Sequence, residues 1–248
     1  MITEKELKIF SRQLMLNDFN EKNFNFIQKQ HVIVIGIGGI GCPIAQYLIA
    51  TGIKHLTLID DDIVQISNLN RQILFNEKDL GGKKVEVAKE KLRYINPSNN
   101  INIISKKITK DNISQYLSNP SLVIDTTDNW ESMALINNYC VKNSIPLLSS
   151  SVIGYDGQVI LFKNKKKHHL CLNCVFPNQN EPNLPRCDTV GVLGTAAGLT
   201  GLISAQLIIN FFTKNHENIE KLIMINSKLM RIDYISIKQN ENCIYNKK

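Results

Sequence analysis

The sequence predicts an α/β protein: a doubly wound, mostly parallel sheet with an antiparallel addition in its C-terminal part. Three observations carry that prediction. Apolar, β-branched runs alternate with stretches of helical periodicity from residue 31 to about residue 150. A G-x-G-x-x-G segment joins the first run to the first helical stretch. Two later apolar runs flank Tyr155-Asp156-Gly157, a turn signature with no helix between them. Alternation implies parallel strands with right-handed crossovers, whereas a short turn joins antiparallel neighbours.

Each element can be justified in order. Residues 31–35 read His-Val-Ile-Val-Ile, a buried strand. Gly36-Ile37-Gly38-Gly39-Ile40-Gly41 follows, and residues 43–50 read as a helix with Pro43 in its first turn. Glycines let the backbone approach a phosphate, and the helix N-terminus favours its negative charge, so this unit is Rossmann-like. A second strand over 55–59 ends at Asp60, the spacing of a carboxylate that holds a ribose. Then come a helix over 83–94, a strand over 101–107, a short helix over 111–117, a strand over 122–125, a helix over 131–142 and a strand over 146–150.

The 248 residues, 43% hydrophobic and 21% charged, suit one large domain with a filled core, and no repeat or low-complexity tract interrupts them. The expected organisation is a single domain, 1–248. It comprises a helical arm (1–30), a nucleotide-binding half (31–151) and a second half (152–248) containing a loop at 175–190. The net charge of +7 invites a nucleic-acid reading, but the basic residues are scattered and the densest cluster, 163–167, reads as a solvated loop. The positive balance would instead help attract a nucleotide or an acidic protein. The charged N-terminus has no apolar signal core, so a cytoplasmic location is expected.

Residues 190–212 lack charge and are long enough to span a bilayer. They also contain Thr195, Thr200, Ser204, Gln206, Asn210 and four glycines, and no basic cluster flanks them. The expectation is a helix buried in the core or at a subunit interface, not a membrane span.

The chemistry lies at or beyond the C-terminal ends of the strands, where ligands bind in open α/β sheets. Ser67-Asn68-Leu69-Asn70-Arg71-Gln72 follows Asp60-Asp61-Asp62, Lys84 follows Gly81-Gly82, and Asp128-Asn129 follows the strand over 122–125. Cations, amides and a carboxylate together suit a triphosphate with Mg²⁺. Hydride transfer to NAD would leave Arg71 and Lys84 without a purpose. Asp61 and Asp62 read as loop carboxylates that cap the following turn, and Asn70 as a surface residue.

GIGGIG, LTLIDDD, SNLNRQILF, Lys84 and DTTDN resemble, in order and spacing, the ubiquitin-activating-type family that includes ThiF, MoeB and HesA. The resemblance spans nearly the whole chain. It implies the fold of that family and an adenylyltransferase that activates the C-terminal Gly-Gly carboxylate of a ubiquitin-like sulfur carrier with ATP and Mg²⁺. By that resemblance Gly36, Gly38, Gly39 and Gly41 line the nucleotide site and Asp60 binds ribose. Ser67 belongs to the nucleotide site, Asn68, Arg71, Gln72 and Lys84 hold phosphates, Asp128 holds Mg²⁺ and Asn129 assists.

Ser11-Arg12-Gln13 resembles the family's N-terminal segment, whose arginine reaches the partner subunit's ATP site. A homodimer with composite sites is implied; the plain alternative for Arg12 is a helix cap or a surface ion pair. Residues 152–248 become the carrier-binding half, with 175–190 as a mobile crossover loop. Phe176-Pro-Asn-Gln-Asn-Glu-Pro182 and Arg71-Gln-Ile-Leu-Phe75 are closer to ThiF than to MoeB. They favour a ThiS-type carrier of thiazole synthesis over the molybdopterin carrier MoaD.

Six cysteines in 248 residues are too sparse for a disulfide scaffold. Cys171 and Cys174 form a C-x₂-C pair, which in the family binds Zn²⁺ with a second such pair near the chain end. Here that end reads Cys243-Ile-Tyr-Asn246, so the fourth cysteine is missing. The three cysteines are either an incomplete zinc set, with His168 or His169 as substitutes, or buried thiols. Cys187, beside Arg186, occupies the loop position at which family members carry a cysteine. It is either the residue that joins sulfur to the carrier, supplied by a desulfurase or rhodanese-type donor, or a free loop thiol. Cys42 and Cys140 are expected in the core.

A second departure is that Asn129 is followed by Trp-Glu-Ser-Met-Ala, without the family's usual arginine. These departures leave room for a non-catalytic nucleotide-binding relative. A carrier carboxylate is already ionised at neutral pH and needs no general base. The obstacle is an anion approaching a polyanion, and the cations answer it.

Overall fold

The structure is a computed structural model, and it describes residues 2–164, 170–177, 190–240, 243 and 245. One eight-stranded sheet runs through the chain in the order β3-β2-β1-β4-β5-β6-β7-β8. Strands β1 (His31–Ile35), β2 (His55–Ile59), β3 (Asn100–Ile104), β4 (Leu122–Asp125) and β5 (Leu147–Ile153) are mutually parallel. Strands β6 (Asp156–Phe162), β7 (Lys221–Asn226) and β8 (Arg231–Ser236) continue the sheet antiparallel. The doubly wound sheet with an antiparallel C-terminal addition is the fold the sequence predicts.

Helices cover both faces, as parallel strands require. On one face lie α1 (Glu4–Leu14), α2 (Glu21–Gln28), α3 (Gly41–Thr51), α4 (Lys84–Ile95) and the long α8 (Gly194–Phe212). On the other lie α5 (Ile113–Tyr116), α6 (Trp130–Lys142) and α7 (Leu172–Val175). Strand residues alternate between the two cores: Val32 and Val34 pack with the first group, Ile33 and Ile35 with the second. Local signals set the helix ends. Thr3 and Glu6 form a capping box on α1, Asn20 caps α2 and Asn129 caps α6.

Several boundaries differ from expectation. Strand β3 stops at Ile104 and not at 107, because its partner β2 ends at Ile59 in that register. Strand β5 runs on to Ile153 because antiparallel β6 keeps pairing beyond the end of β4. The turn is therefore Gly154-Tyr155, and Asp156 and Gly157 already belong to β6. Residues 191–193 hook onto that turn through Gly154 N–H to Gly191 O (2.8 Å) and Leu193 N–H to Gly154 O (3.0 Å), so α8 starts only at Gly194.

Helix α8 is the one helix, among the described residues, long and apolar enough to cross a membrane, and half of its most apolar window is buried inside the protein. Gly201 explains why it lies so close to its neighbours: a β-carbon there would sit 2.5 Å from Pro43 Cγ and 2.8 Å from the Ile40 carbonyl. Ser204 Oγ donates to the Thr200 carbonyl and meets Ser150 of β5 at 3.1 Å, and Thr200 Oγ1 donates to the Ala196 carbonyl, so the helix's buried hydroxyls are satisfied by its own backbone and by the sheet. One side of the helix packs on the core, one of the two placements, core or subunit interface, expected from the sequence.

Candidate functional site

The chain leaves β1 toward β2 on one side and toward β4 on the other, so strand order reverses between β1 and β4. The crevice beyond that switch point is where an open α/β sheet takes its ligand. The loop Gly36–Gly41 crosses it. A β-carbon on Gly41 would lie 2.0 Å from the Gly36 carbonyl, so only glycine allows the loop to close this tightly. Thr126, just past β4, donates its hydroxyl to the Gly36 carbonyl at 2.8 Å and its N–H to the Ile35 carbonyl at 3.0 Å. Helix α3 begins there with no side-chain cap and no acid in its first turn, so its positive end faces the loop, although Cys42 N–H is given to the Gly38 carbonyl (3.0 Å) and Pro43 has no N–H.

Asp60, at the end of β2, clamps this loop: its Oδ2 accepts from Ile37 N–H at 2.6 Å and its Oδ1 from Asp62 N–H at 2.9 Å. Burial pushes its pKa up, opposed by the Lys84 charge and by those two backbone donors. Arg71 and Gln72 reach the same loop. Arg71 Cγ comes within 3.4 Å of where a side chain on Gly39 would begin, and Gln72 Nε2 within 3.9 Å of the same point on Gly38. Arg71 is oriented by donating to the Ser67 carbonyl (2.7 Å) and to Asn70 Oδ1 (3.1 Å). Asn70 is thus exposed, as expected, but it steers the arginine. Gln72 is buried, and its Oε1 has no hydrogen-bond partner, an acceptor held ready at the loop.

Lys84 opens α4 with only 4% of its surface exposed, and its Nζ lies 2.7 Å from Asp62 Oδ2. Asp62 is therefore a lysine counter-ion and not the turn cap expected from the sequence; Asp61 is exposed beside it. The buried Asn68 spends its Oδ1 on Gln65 N–H (3.2 Å), which leaves its amide nitrogen end for a ligand. Asp128 is exposed three residues beyond β4. Asn129 gives its Oδ1 to Ser132 N–H at 2.9 Å, so its oxygen serves the α6 cap.

Asp125, the last residue of β4, carries no signal in the sequence that sets it apart from its neighbours. It is fully buried; Oδ1 accepts from the Thr127 N–H (3.0 Å) and hydroxyl (2.7 Å), while Oδ2 has no partner. Burial pushes its pKa up to about 6, against the pull of those Thr127 bonds.

Arg12 does not join this group within one chain. Helix α1 is tied to the far end of α3: Gln13 Nε2 donates to the Ala50 carbonyl at 3.4 Å, and Glu6 pairs with Lys54 at 2.7 Å. Eleven helical residues, about 16 Å at 1.5 Å each, separate that end from the glycine loop. Arg12 is exposed in the last turn of α1, where a cation suits the helix C-terminus, and it makes no ion pair among the described residues.

The thiols behave as two groups. Cys42 and Cys140 are core residues, and burial pushes the Cys42 thiol up to about 12. Cys171, Cys174 and Cys243 gather instead: Cys171 Sγ lies 3.9 Å from Cys174 Sγ and 3.5 Å from Cys243 Sγ. Tetrahedral zinc with Zn–S of about 2.3 Å spaces its sulfurs by about 3.8 Å, so these residues fit three corners of such a site. Cys187, Arg186, His168, His169, Asn246 and residues 178–189 of the 175–190 loop lie outside the described residues. Of the basic cluster, Lys163 pairs with Glu220 at 3.6 Å and 165–167 lie outside.

The profile of the ThiF family matches residues 10–245. The chain is 29% identical over 240 residues to the SAMP-activating enzyme E1 of Haloferax volcanii, covering 96% of this chain and 88% of that protein. It is 28% identical over 242 residues to the sulfur carrier protein ThiS adenylyltransferase of Escherichia coli, covering 98% and 96%. It is 31% identical over 207 residues to a sulfur carrier protein adenylyltransferase of Thermus thermophilus, covering 82% and 76%. Among solved structures it shares the fold of E. coli MccB, with a TM-score of 0.83 at 20% identity over 98% of this chain and 73% of that one. The complex of MccB with ATP matches with a TM-score of 0.79 at 19% identity, covering 99% and 82%.

Proposed function

Because the chain belongs to the ThiF family and is an adenylyltransferase, we propose that it adenylates the C-terminal carboxylate of a ubiquitin-like sulfur-carrier protein, first of all a ThiS-type carrier. One observation carries the reading. A glycine cradle, an uncapped helix start, Arg71 and the buried Lys84 gather beyond the adjacent ends of β1 and β2, and Asp60 holds the cradle in place. That is a polyanion site, and it leaves the attacking group to be supplied by the substrate.

The chemistry follows from charge. The carrier carboxylate is an anion that must reach the α-phosphorus of another anion. Arg71, Lys84 and the positive end of the α3 dipole lower that repulsion, and rigid loop geometry aligns the reactants. The new bond joins carboxylate oxygen to the α-phosphorus as the bond to the pyrophosphate oxygen breaks. Pyrophosphate leaves with its electron pair, and an acyl-adenylate remains. Mg²⁺, held by Asp128, would neutralise phosphate charge when bound. The decisive experiment is pyrophosphate–ATP exchange with ThiS-type and MoaD-type carriers side by side. Exchange with MoaD alone would overturn the carrier assignment, and ATP binding without exchange on any Gly-Gly carrier would overturn the activity.

The location of Arg12 supports a homodimer in which each arm completes the other subunit's site. Arg12→Ala should lose exchange by about tenfold or more on its own. Mixing it, by co-expression, with an Asp128→Ala chain should restore about a quarter of wild-type activity, since half the dimers are mixed and half their sites are intact. No recovery in isolated mixed dimers would show that Arg12 works elsewhere.

Zinc is the reading the three sulfurs support. Bound there, it would staple Cys243 and the chain end to α7, at the start of the 175–190 loop. Purified protein should carry about one zinc per chain by elemental analysis, with Cys243→Ser lowering both zinc content and melting temperature. Protein expressed with ample zinc and isolated metal-free, with the wild-type melting temperature unchanged by chelator, would make these plain buried thiols.

A further inference from the structure

We infer that Asp62 is a positioning residue for the nucleotide site: it holds the Lys84 ammonium beside Asp60 while the site is empty and gives it up to the phosphates. The inference rests on the ATP-binding reading above and assigns a residue to which that reading gives no role.

Asp62 makes three links. Its N–H donates to Asp60 Oδ1 (2.9 Å), its carbonyl accepts from Lys84 N–H (3.0 Å), and its Oδ2 receives Lys84 Nζ (2.7 Å). Since Asp60 Oδ2 also receives Ile37 N–H, a continuous chain of contacts runs from glycine loop to Asp60, Asp62 and Lys84. The backbone of this segment is secured independently of any carboxylate. Val64 N–H donates to the Gly82 carbonyl (2.8 Å), Gly81 N–H donates to the Val64 carbonyl (3.0 Å), and Ile63 bridges Lys83. The Asp62 carboxylate is thus left one task, placing the lysine ammonium.

Exposure is lopsided within the pair. The Lys84 side chain is 5% exposed and that of Asp62 is 66% exposed. A buried ammonium needs a counter-charge, but an exposed carboxylate can leave for water when another anion arrives. Without Asp62, Asp60 remains within electrostatic reach of the ammonium, since Lys84 already influences its titration. The ammonium would then pull Asp60 away from the Ile37 N–H and slacken the cradle.

Two effects of Asp62→Asn oppose each other. Removing a negative charge near a triphosphate should tighten binding, but Asp62 is well exposed and that effect is screened. Misplacing a buried cation and its neighbouring carboxylate should weaken binding, and we expect this to win. The test is calorimetric ATP binding to the full chain without carrier. Asp62→Asn should raise Kd about tenfold, the loss of one charge-assisted contact. Asp62→Glu should stay within about threefold of wild type, and Asp62→Asn should add less than about twofold on a Lys84→Ala background. At saturating ATP, exchange by Asp62→Asn should return to within about threefold of wild type, a KM effect and not a kcat effect. Binding equal to or tighter than wild type, or the same tenfold loss on the Lys84→Ala background, would overturn the inference alone. Failure of the wild-type chain to bind ATP would instead overturn the function it rests on.

Discussion

Asp128→Ala should lower carrier-dependent pyrophosphate–ATP exchange by about 10²–10³-fold or more, while the melting temperature stays near wild type. The two halves of this expectation have separate causes. Asp128 is exposed and makes no hydrogen bond or ion pair among the described residues, so its removal leaves no buried group unsatisfied. Its carboxylate stands beyond β4 at the end of the sheet that carries the glycine loop, and most of the other carboxylates near that loop are already committed. Asp60 holds two backbone N–H groups, Asp62 holds Lys84, and Asp125 is sealed inside. Asp61 is exposed beside them, and the assignment of Mg²⁺ to Asp128 is the proposal that this variant tests. Asp128→Asn should fail nearly as badly, because it keeps the shape and loses the charge that a hard cation requires. Exchange within about fivefold of wild type in both variants, at saturating Mg²⁺, would move the metal site elsewhere.

The second large effect concerns stability. Asp125 has its pKa raised by burial from 3.8 to about 6, so its folded form prefers to be protonated. The sign follows. Stability is greatest below the unfolded pKa and is lost as pH rises through the folded one, in a window from about 4 to about 6. A rise of that size costs about 3 kcal/mol of stability at neutral pH. Asp125→Asn removes the ionisation and can still accept the Thr127 bonds through its carbonyl oxygen. Relative to wild type it should therefore gain about 2–3 kcal/mol between pH 4 and pH 7, measured by urea unfolding at each pH. Its absolute stability at pH 4 should be slightly lower, since an amide nitrogen replaces the unpartnered oxygen in a dry place. Parallel pH profiles for the two proteins would mean that Asp125 is compensated in solution.

Legibility differs from residue to residue for physical reasons. Strands β1, β2 and β4 are readable to the residue because both their faces are buried, and continuous β-branched runs have few alternatives. The ends of β3 and β5 are not, because a strand stops where its neighbour stops, a non-local fact. Lys84 is readable as a cation at an unfavourable helix start. Asp62 is not, since one carboxylate in a run of three looks like its neighbours until a fold places a buried ammonium 2.7 Å from it. Asp125 escapes notice at the end of β4, because whether a terminal carboxylate faces solvent or core depends on what covers it.

Periodicity, the glycine spacing and the order of the charged motifs were enough to determine the fold class and the family and to point to the crevice beyond the strand ends. These are local properties of the chain: strand length, turn chemistry and the residue types that can face a phosphate. Tertiary structure alone decided which charges are already neutralised and which remain available. It paired Lys84 with Asp62, sealed Asp125 in the core, drew Cys243 to Cys171 across the fold and put Arg12 at the wrong end of its own α3. Coulomb energy and desolvation depend on distances and burial, and those exist only once remote segments have packed together.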